Sequence, residues 1–151
     1  MECVRNLGAW FDNHMSMDTH IVKVCSKAVR GVYTIRQIKK FLSEQSTKTL
    51  VHAFIASYLD YCNSLLYGRP NFQCDRLQKI LNAAARVICV IPKFDHITPF
   101  LIKLHCLPVY FRIQFKILLL VFKALEGKAP LYIRDLLKPK VAGGYTLRSD
   151  N

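Results

Sequence analysis

Apolar residues recur every three or four positions through most of the chain, and proline or glycine interrupts this pattern at short intervals. The spacing places apolar side chains on one face of a helix, whereas a half-buried strand would alternate at every second residue. The interruptions fall at Gly68, Pro70, Pro92, Pro99, Pro108 and Gly127. Because short links join amphipathic segments, the pattern predicts an all-α bundle of five to six helices.

The first three helices are expected over residues 16–42, 46–66 and 72–91, with Ser16 available as the first N-cap. Shorter helices are expected from Thr98 and over 130–137, and a longer one from Leu107-Pro108 to Gly127. In the second helix, the spacing predicts an inward stripe of Leu50, Phe54, Tyr58, Cys62 and Leu65. The long helix is apolar on nearly all sides over 117–122, which predicts that it is the central element.

The two ends of the chain differ from this helical pattern. Residues 1–12 form a strand-like lead-in, since 3–12 alternate loosely and are expected to be one short strand or an extended segment. Residues 13–137 are expected to form one helical domain. Residues 138–151 hold turn residues and little to bury, which predicts a flexible tail.

Composition limits the classes of protein that this chain can belong to. Its 151 residues amount to one domain and exclude a complete polymerase, while 52% hydrophobic against 21% charged residues excludes a disordered tail. Lys and Arg number 22 against 10 Asp and Glu, a formal charge of +12. This balance favours an anionic partner such as nucleic acid or an acidic lipid surface.

Six widely spaced cysteines, with no CxxC pair, are interpreted as reduced thiols. The N-terminal sequence shows no secretory signal, and the most apolar stretch falls short of the roughly 20 residues that a bilayer requires. We therefore expect an intracellular protein, nuclear or cytoplasmic, that is neither secreted nor transmembrane.

The basic residues fall into stripes along three of the predicted helices. The candidate nucleic-acid contacts are Lys23, Lys27, Arg30, Arg76, Lys79, Arg86, Arg112 and Lys116. Acidic residues rarely interleave with these stripes, which favours contact with the phosphate backbone of RNA, DNA or an RNA/DNA hybrid. The alternative is a solvated face that serves solubility. Most Phe and Tyr residues lie at core spacing, so the sequence identifies no stacking surface.

Catalytic motifs are weak in this chain. A zinc site needs close-spaced ligand pairs, and the best cluster, comprising Cys89, His96, His105 and Cys106, contains none. Tyr58-Leu59-Asp60-Tyr61 is similar to the Tyr-x-Asp-Asp box of reverse transcriptases but lacks the second carboxylate that two-metal catalysis needs. A Cys/His nucleophile could combine Cys62 or Cys106 with His52 or His105, but no third orienting group is evident. We therefore expect no enzyme activity, no metal and no cofactor.

Several strings occur in an order that points to one family. They include Asn6 to Asp12, Thr49 to Phe54, Leu59 to Gly68, Asn82 to Arg86, Asp95 to Pro99 and Leu104 to Val109. In this order they resemble the region that follows the catalytic palm in non-LTR (LINE-type) retrotransposon reverse transcriptases, and the resemblance extends over about residues 4–148. One departure is Cys106, where relatives typically carry Trp.

The resemblance implies a thumb and post-palm helical region, which in such enzymes packs on the palm and steers the template and primer backbones. The family's catalytic aspartates lie upstream of the matched region, so polymerase activity is not carried over. An upstream palm is an implied partner if the reading frame is longer. The alternatives are a helical protein-interaction module, whose exposed apolar faces meet another chain or a second copy of this one, and a decayed remnant with no selected function.

Overall fold

A hairpin opens the described part of the chain, since the computed structural model describes residues 3–137. Strand β1, Cys3–Asn6, pairs antiparallel with strand β2, Ala9–Asp12. The turn residues Leu7 and Gly8 both have positive φ, at 45° and 89°, which suits a two-residue type I′ turn. The strand-like lead-in is therefore confirmed as two strands that pair with each other, not as a single strand.

Between the hairpin and residue 137 the chain forms six helices, which confirms the all-α class. They are α1 (Asp18–Ile38), α2 (44–60), α3 (Asn71–Cys89), α4 (Thr98–Lys103), α5 (Val109–Leu125) and α6 (Leu131–Arg134). Helix α2 is continuous but changes geometry, from α over Glu44–Val51 to a π turn over His52–Ala56 and back to α over Ser57–Asp60. Short 3-10 turns occupy Lys39–Phe41 and Asn63–Leu66.

The buried carboxylate of Asp12 organises the junction between the hairpin and α1. Its Oδ1 accepts hydrogen bonds from the backbone N–H groups of His14 (3.0 Å) and Ser16 (2.9 Å), and its Oδ2 accepts from Ser16 Oγ (2.8 Å) and Met17 N–H (3.1 Å). These bonds, those from Ser16 above all, lower the pKa of Asp12. The expected N-cap at Ser16 is wrong by one residue, because Met17 occupies the cap position of α1.

The core lies between α1, α2 and α3. Ile21, Ala28 and Ile35 of α1 are buried as predicted. Helix α3 also buries the complete stripe that its spacing indicates, namely Leu77, Ile80, Leu81, Ala84, Val87 and Ile88. These faces pack together in one apolar cluster, and burial of their side chains is the main driving force for folding.

In α2 the predicted inward stripe is wrong by one residue. Thr47, Val51, Ile55 and Leu59 are buried, with Ala56 beside them, whereas Phe54 and Tyr58 are 53% and 39% exposed. Leu50, the first residue of the predicted stripe, is partly buried against the core. Both sets recur at intervals of four, so helical spacing alone cannot choose between them. The aliphatic set fills the core, and the aromatic set is left at the surface.

The described residues divide into two compact units, 3–116 and 117–137. In the first unit, α5 contributes Val109 and Ile113 to the core. In the second, Leu118, Leu120, Phe122 and Leu125 are exposed. The expectation that α5 is the central element is therefore wrong. An apolar sequence makes burial of a helix favourable, but it does not show that other helices cover it.

In the second unit, α5 ends where predicted. Gly127 has φ 69°, and Lys128 N–H donates to the carbonyl of Lys123 at 2.8 Å, as in a glycine-terminated helix. The predicted tail, 138–151, lies outside the described residues. No helix within 3–137 combines the length and apolarity needed to cross a bilayer.

Candidate nucleic-acid interface

Lys23, Lys27 and Arg30 are all exposed, and they lie on one flank of the buried stripe of α1. At about 100° per residue, they lie within a narrow arc of the helix. The ion pairs within residues 3–137 are Arg112–Asp60 and Lys128–Glu126. None of the three α1 cations therefore forms an ion pair with a carboxylate in that range.

A groove runs between α1 and α2 beneath these cations. It consists of two cavities of about 450 and 330 Å³ that share Lys27 and Tyr58 in their walls. We call this the α1–α2 groove, and its cationic and aromatic residues are Arg5, Trp10, Lys23, Lys27, Arg30, Phe54, Tyr58 and Tyr61. No acidic side chain lines either cavity. The groove therefore combines positive charge with aromatic surface, as single-strand binding sites do.

Two lysines of this groove each lie over an aromatic ring. Lys23 Nζ is 5.5 Å from the centroid of the Trp10 ring, and Lys27 Nζ is 5.6 Å from that of Tyr58. Both distances are within cation–π range, so the rings hold the ammonium groups at the groove surface. Each pair places a cation, suited to phosphate, beside a flat ring, suited to a base.

The hairpin is fixed against the helices at the end of the α1–α2 groove. Tyr61 donates a hydrogen bond from its hydroxyl to the carbonyl of Leu7, and Trp10 N–H donates to His20 Nδ1 at 3.4 Å. Burial lowers the pKa of His20, so its imidazole is neutral near pH 7 and Nδ1 can accept this bond. These two contacts place Trp10 at the groove.

Gly31 lets α1 approach α2 closely in the floor of the groove. A Cβ at this position would lie 3.3 Å from both the Phe54 carbonyl oxygen and Ile55 Cγ1. The close approach occurs at the π turn that carries Phe54 outward. Such turns in α-helices are frequent at functional sites.

A second groove, of about 400 Å³, lies between α1 and α3. Its cations are Arg36, Lys79, Arg86 and Lys93, and no acidic side chain lines it. We call it the α1–α3 groove. By helical projection Lys27 and Arg36 lie on opposite flanks of the buried stripe of α1, so the predicted cations occupy two separate grooves and not one continuous surface.

Arg86 also orders the loop that follows α3. Its guanidinium donates from Nη1 to the carbonyl of Pro92 and from Nη2 to that of Asp95, the latter at 2.8 Å. Lys79 has no such contact among the described residues and is exposed. Lys79 is therefore the more available of the two predicted α3 cations in this groove.

The structure does not bring the other predicted contacts into either groove. Arg76 is exposed on α3, and Lys116 is exposed on α5. Arg112 is half-buried and donates to Asp60 Oδ2 (2.7 Å), the carbonyl of Leu107 (2.6 Å) and Cys106 Sγ (3.1 Å). Arg112 is therefore engaged within the protein, which is a structural role that its place in a basic stripe did not indicate.

Sequence reasoning missed Arg5, Trp10 and Arg36, and it assigned Phe54 and Tyr58 to the core. Phe54 and Tyr58 are four residues apart, and so are Ile55 and Leu59, one position later in the sequence. Tyrosine is fully buried less often than leucine, which could have separated Tyr58 from Leu59, whereas Phe54 carries no such signal. No local pattern could have placed Arg5 and Trp10, because the hairpin brings them to α1 through tertiary contacts.

The cysteines and histidines form no evident reactive site. All six thiols are unpaired, and burial raises the pKa values of Cys25, Cys74 and Cys89, which keeps these thiols protonated. Within residues 3–137, no group of three or more His, Cys, Asp and Glu side chains is arranged to hold a metal ion.

Comparison with known proteins adds no assignment to this geometry. The chain matches no protein-family model, no curated protein and no solved structure. The candidate interface therefore depends on the residues of this chain alone.

Proposed function

We propose that this protein is a non-catalytic nucleic-acid-binding domain that contacts the backbone of RNA, DNA or their hybrid. The α1–α2 groove carries the proposal, because Lys23, Lys27 and Arg30 line it without a neighbouring acid. The α1–α3 groove adds Arg36, Lys79 and Lys93 on the other flank of α1. This distribution favours a phosphate-binding surface over a solvated face of mixed charge.

The mechanism is electrostatic. Each Lys or Arg that neutralises a phosphate releases condensed counterions, and the affinity then falls with rising salt. Backbone contacts of this kind position the ligand without reading its sequence. We therefore expect similar affinities for unrelated sequences and a steep dependence on ionic strength.

The proposal agrees with the resemblance to the post-palm region of LINE-type reverse transcriptases, where such helices steer template and primer. In this view the chain corresponds to the post-palm region of a retrotransposon enzyme. Genomic sequence upstream of Met1 tests the origin. An in-frame palm with paired aspartates would make the chain one piece of an RNA-directed DNA polymerase and would overturn the non-catalytic assignment for the whole protein.

Binding is tested by fluorescence anisotropy with a labelled primer-template across a salt series. The variant K23Q/K27Q/R30Q removes three charges from the α1–α2 groove. Each neutralised phosphate contributes a slope of about 0.7 in a single strand and about 0.9 in a duplex, so the slope of log affinity against log salt should become shallower by about 2 to 3.

The matched control is K40Q/K103Q/K128Q, which removes three exposed charges that line neither groove. This variant should retain most of the affinity and the original slope. Equal losses in both variants would mean that only net charge matters. No binding by a monodisperse, helical protein would refute the proposal.

A second candidate, a self-association or protein-interaction module, is favoured by one observation. Leu118, Leu120, Phe122 and Leu125 are exposed along one helix, and large exposed apolar patches mark interaction sites. Light scattering at increasing protein concentration tests it. Association that is insensitive to salt and abolished by L118S/F122S supports this module, whereas a monomer at all concentrations excludes self-association.

A further inference from the structure

The α1–α2 groove contains more aromatic surface than backbone binding requires. Phe54 and Tyr58 are exposed on α2 although aliphatic neighbours fill the core, and Trp10 faces the same groove from the hairpin. Large aromatic rings exposed to water are unfavourable in free energy, and a ligand that covers them removes this penalty. A lysine accompanies two of these rings, at 5.5 Å from Trp10 and 5.6 Å from Tyr58.

We propose that the α1–α2 groove binds unpaired nucleotides, with bases stacked on Tyr58 and Phe54 and phosphates on Lys23, Lys27 and Arg30. This inference rests on the proposed function and names its ligand as a single strand. The cavities of about 450 and 330 Å³ lie within the usual size range of small-molecule sites.

The preference for a single strand follows from the bases that each nucleic acid can place against an aromatic side chain. A duplex keeps its bases stacked inside and offers mainly phosphates, so exposed aromatic side chains gain little from it. A single strand can place its bases on aromatic rings, and this contact tolerates any sequence. The cations serve both ligands, but the rings serve only the single strand.

The hairpin supplies a built-in reporter. Trp10 is the one tryptophan in the chain and lies in the groove. The hairpin backbone that carries Trp10 is held there by its contacts with His20 and Tyr61. A base that enters the groove should therefore change the tryptophan emission, while a ligand bound elsewhere should not.

The test compares a labelled 20-nucleotide single strand of mixed sequence with its duplex, using anisotropy and tryptophan emission together. Tyr58→Leu should weaken single-strand binding by about 5- to 150-fold, the range reported by removing one base–aromatic stack. Duplex affinity should be unchanged. Tyr58→Phe keeps the ring and should retain single-strand affinity.

The matched control is Tyr33→Leu, since Tyr33 is an exposed tyrosine of α1 that does not line the groove. It should leave both affinities unchanged. Equal binding of single strand and duplex, with no emission change and no effect of Tyr58→Leu, would overturn the inference. If K23Q/K27Q/R30Q still weakened both ligands, the proposed function would survive. No binding of either ligand would overturn both.

Discussion

Arg112 donates from Nη1 to Oδ2 of Asp60 at 2.7 Å and thereby joins the start of α5 to the end of α2. Further donations to the Leu107 carbonyl and Cys106 Sγ fix the same guanidinium. The side chain of Arg112 is only 17% exposed, so its partners replace water that it has lost. The arginine therefore serves packing within the first unit.

We expect Arg112→Ala to lower the free energy of unfolding by about 2 kcal/mol, because it removes charge-assisted hydrogen bonds and leaves Asp60 unpaired. Urea unfolding followed by circular dichroism measures this change. Arg112→Lys should recover only part of it, since an ammonium cannot reproduce the spread of guanidinium donors. Under native conditions, nucleic-acid affinity should be unchanged. A stable Arg112→Ala variant that binds weakly would instead make Arg112 a ligand contact.

The contact between Trp10 and His20 should make stability depend on pH. Burial lowers the pKa of His20 below its ordinary 6.5, so the folded state binds fewer protons than the unfolded state. Its contribution is complete above pH 6.5 and is lost as the pH falls through the lowered pKa. The free energy of unfolding should therefore decline as the pH falls below about 6.5, the ordinary pKa of the histidine.

His20→Gln is the matched variant, since it keeps a polar side chain but cannot titrate. This variant should lack most of the decline that begins below about pH 6.5, measured by urea unfolding at a series of pH values. The lowered pKa of Asp12 acts only below its ordinary value of 3.8, outside this window. An identical pH profile in both proteins would contradict the assignment.

Gly31 should resist replacement although it lies within a helix. Glycine to alanine at an unconstrained helix position gains about 1 kcal/mol. Here the new Cβ meets the Phe54 carbonyl oxygen at 3.3 Å, so Gly31→Ala should gain less than this. Gly31→Leu should lower the free energy of unfolding by about 1–3 kcal/mol through overpacking. A fully stable Gly31→Leu variant, measured by thermal unfolding, would show that α1 and α2 can separate without cost.

More of the fold than of the interface could be predicted from the sequence. The apolar stripe of α3 was read correctly, because its aliphatic positions have no competing set beside them. In α2, Phe54 and Tyr58 share their spacing with Ile55 and Leu59, and only packing against α1 chooses between the two sets. The spacing in α5 also could not show that much of its apolar surface is exposed, because a residue pattern does not indicate what packs against a helix face.

The site depends still more on tertiary contacts. The exposure of Lys23, Lys27 and Arg30 was predictable from helical projection, because all three lie outside the buried stripe. The hairpin that carries Arg5 and Trp10 to them was not, since its docking depends on Tyr61 and His20. The different roles of Arg112 and Lys79 also required the structure, because both look alike in a basic stripe.

Lysine footprinting tests the central claim most directly, because it locates bound nucleic acid on the protein without any substitution. The chain is acetylated with and without a saturating single-stranded oligonucleotide, and mass spectrometry reports the protection of each lysine. We predict strong protection of Lys23, Lys27 and Lys79, with little at Lys103 and Lys128. Uniform protection, or protection centred on Lys103 and Lys128, would contradict a nucleic-acid interface along α1.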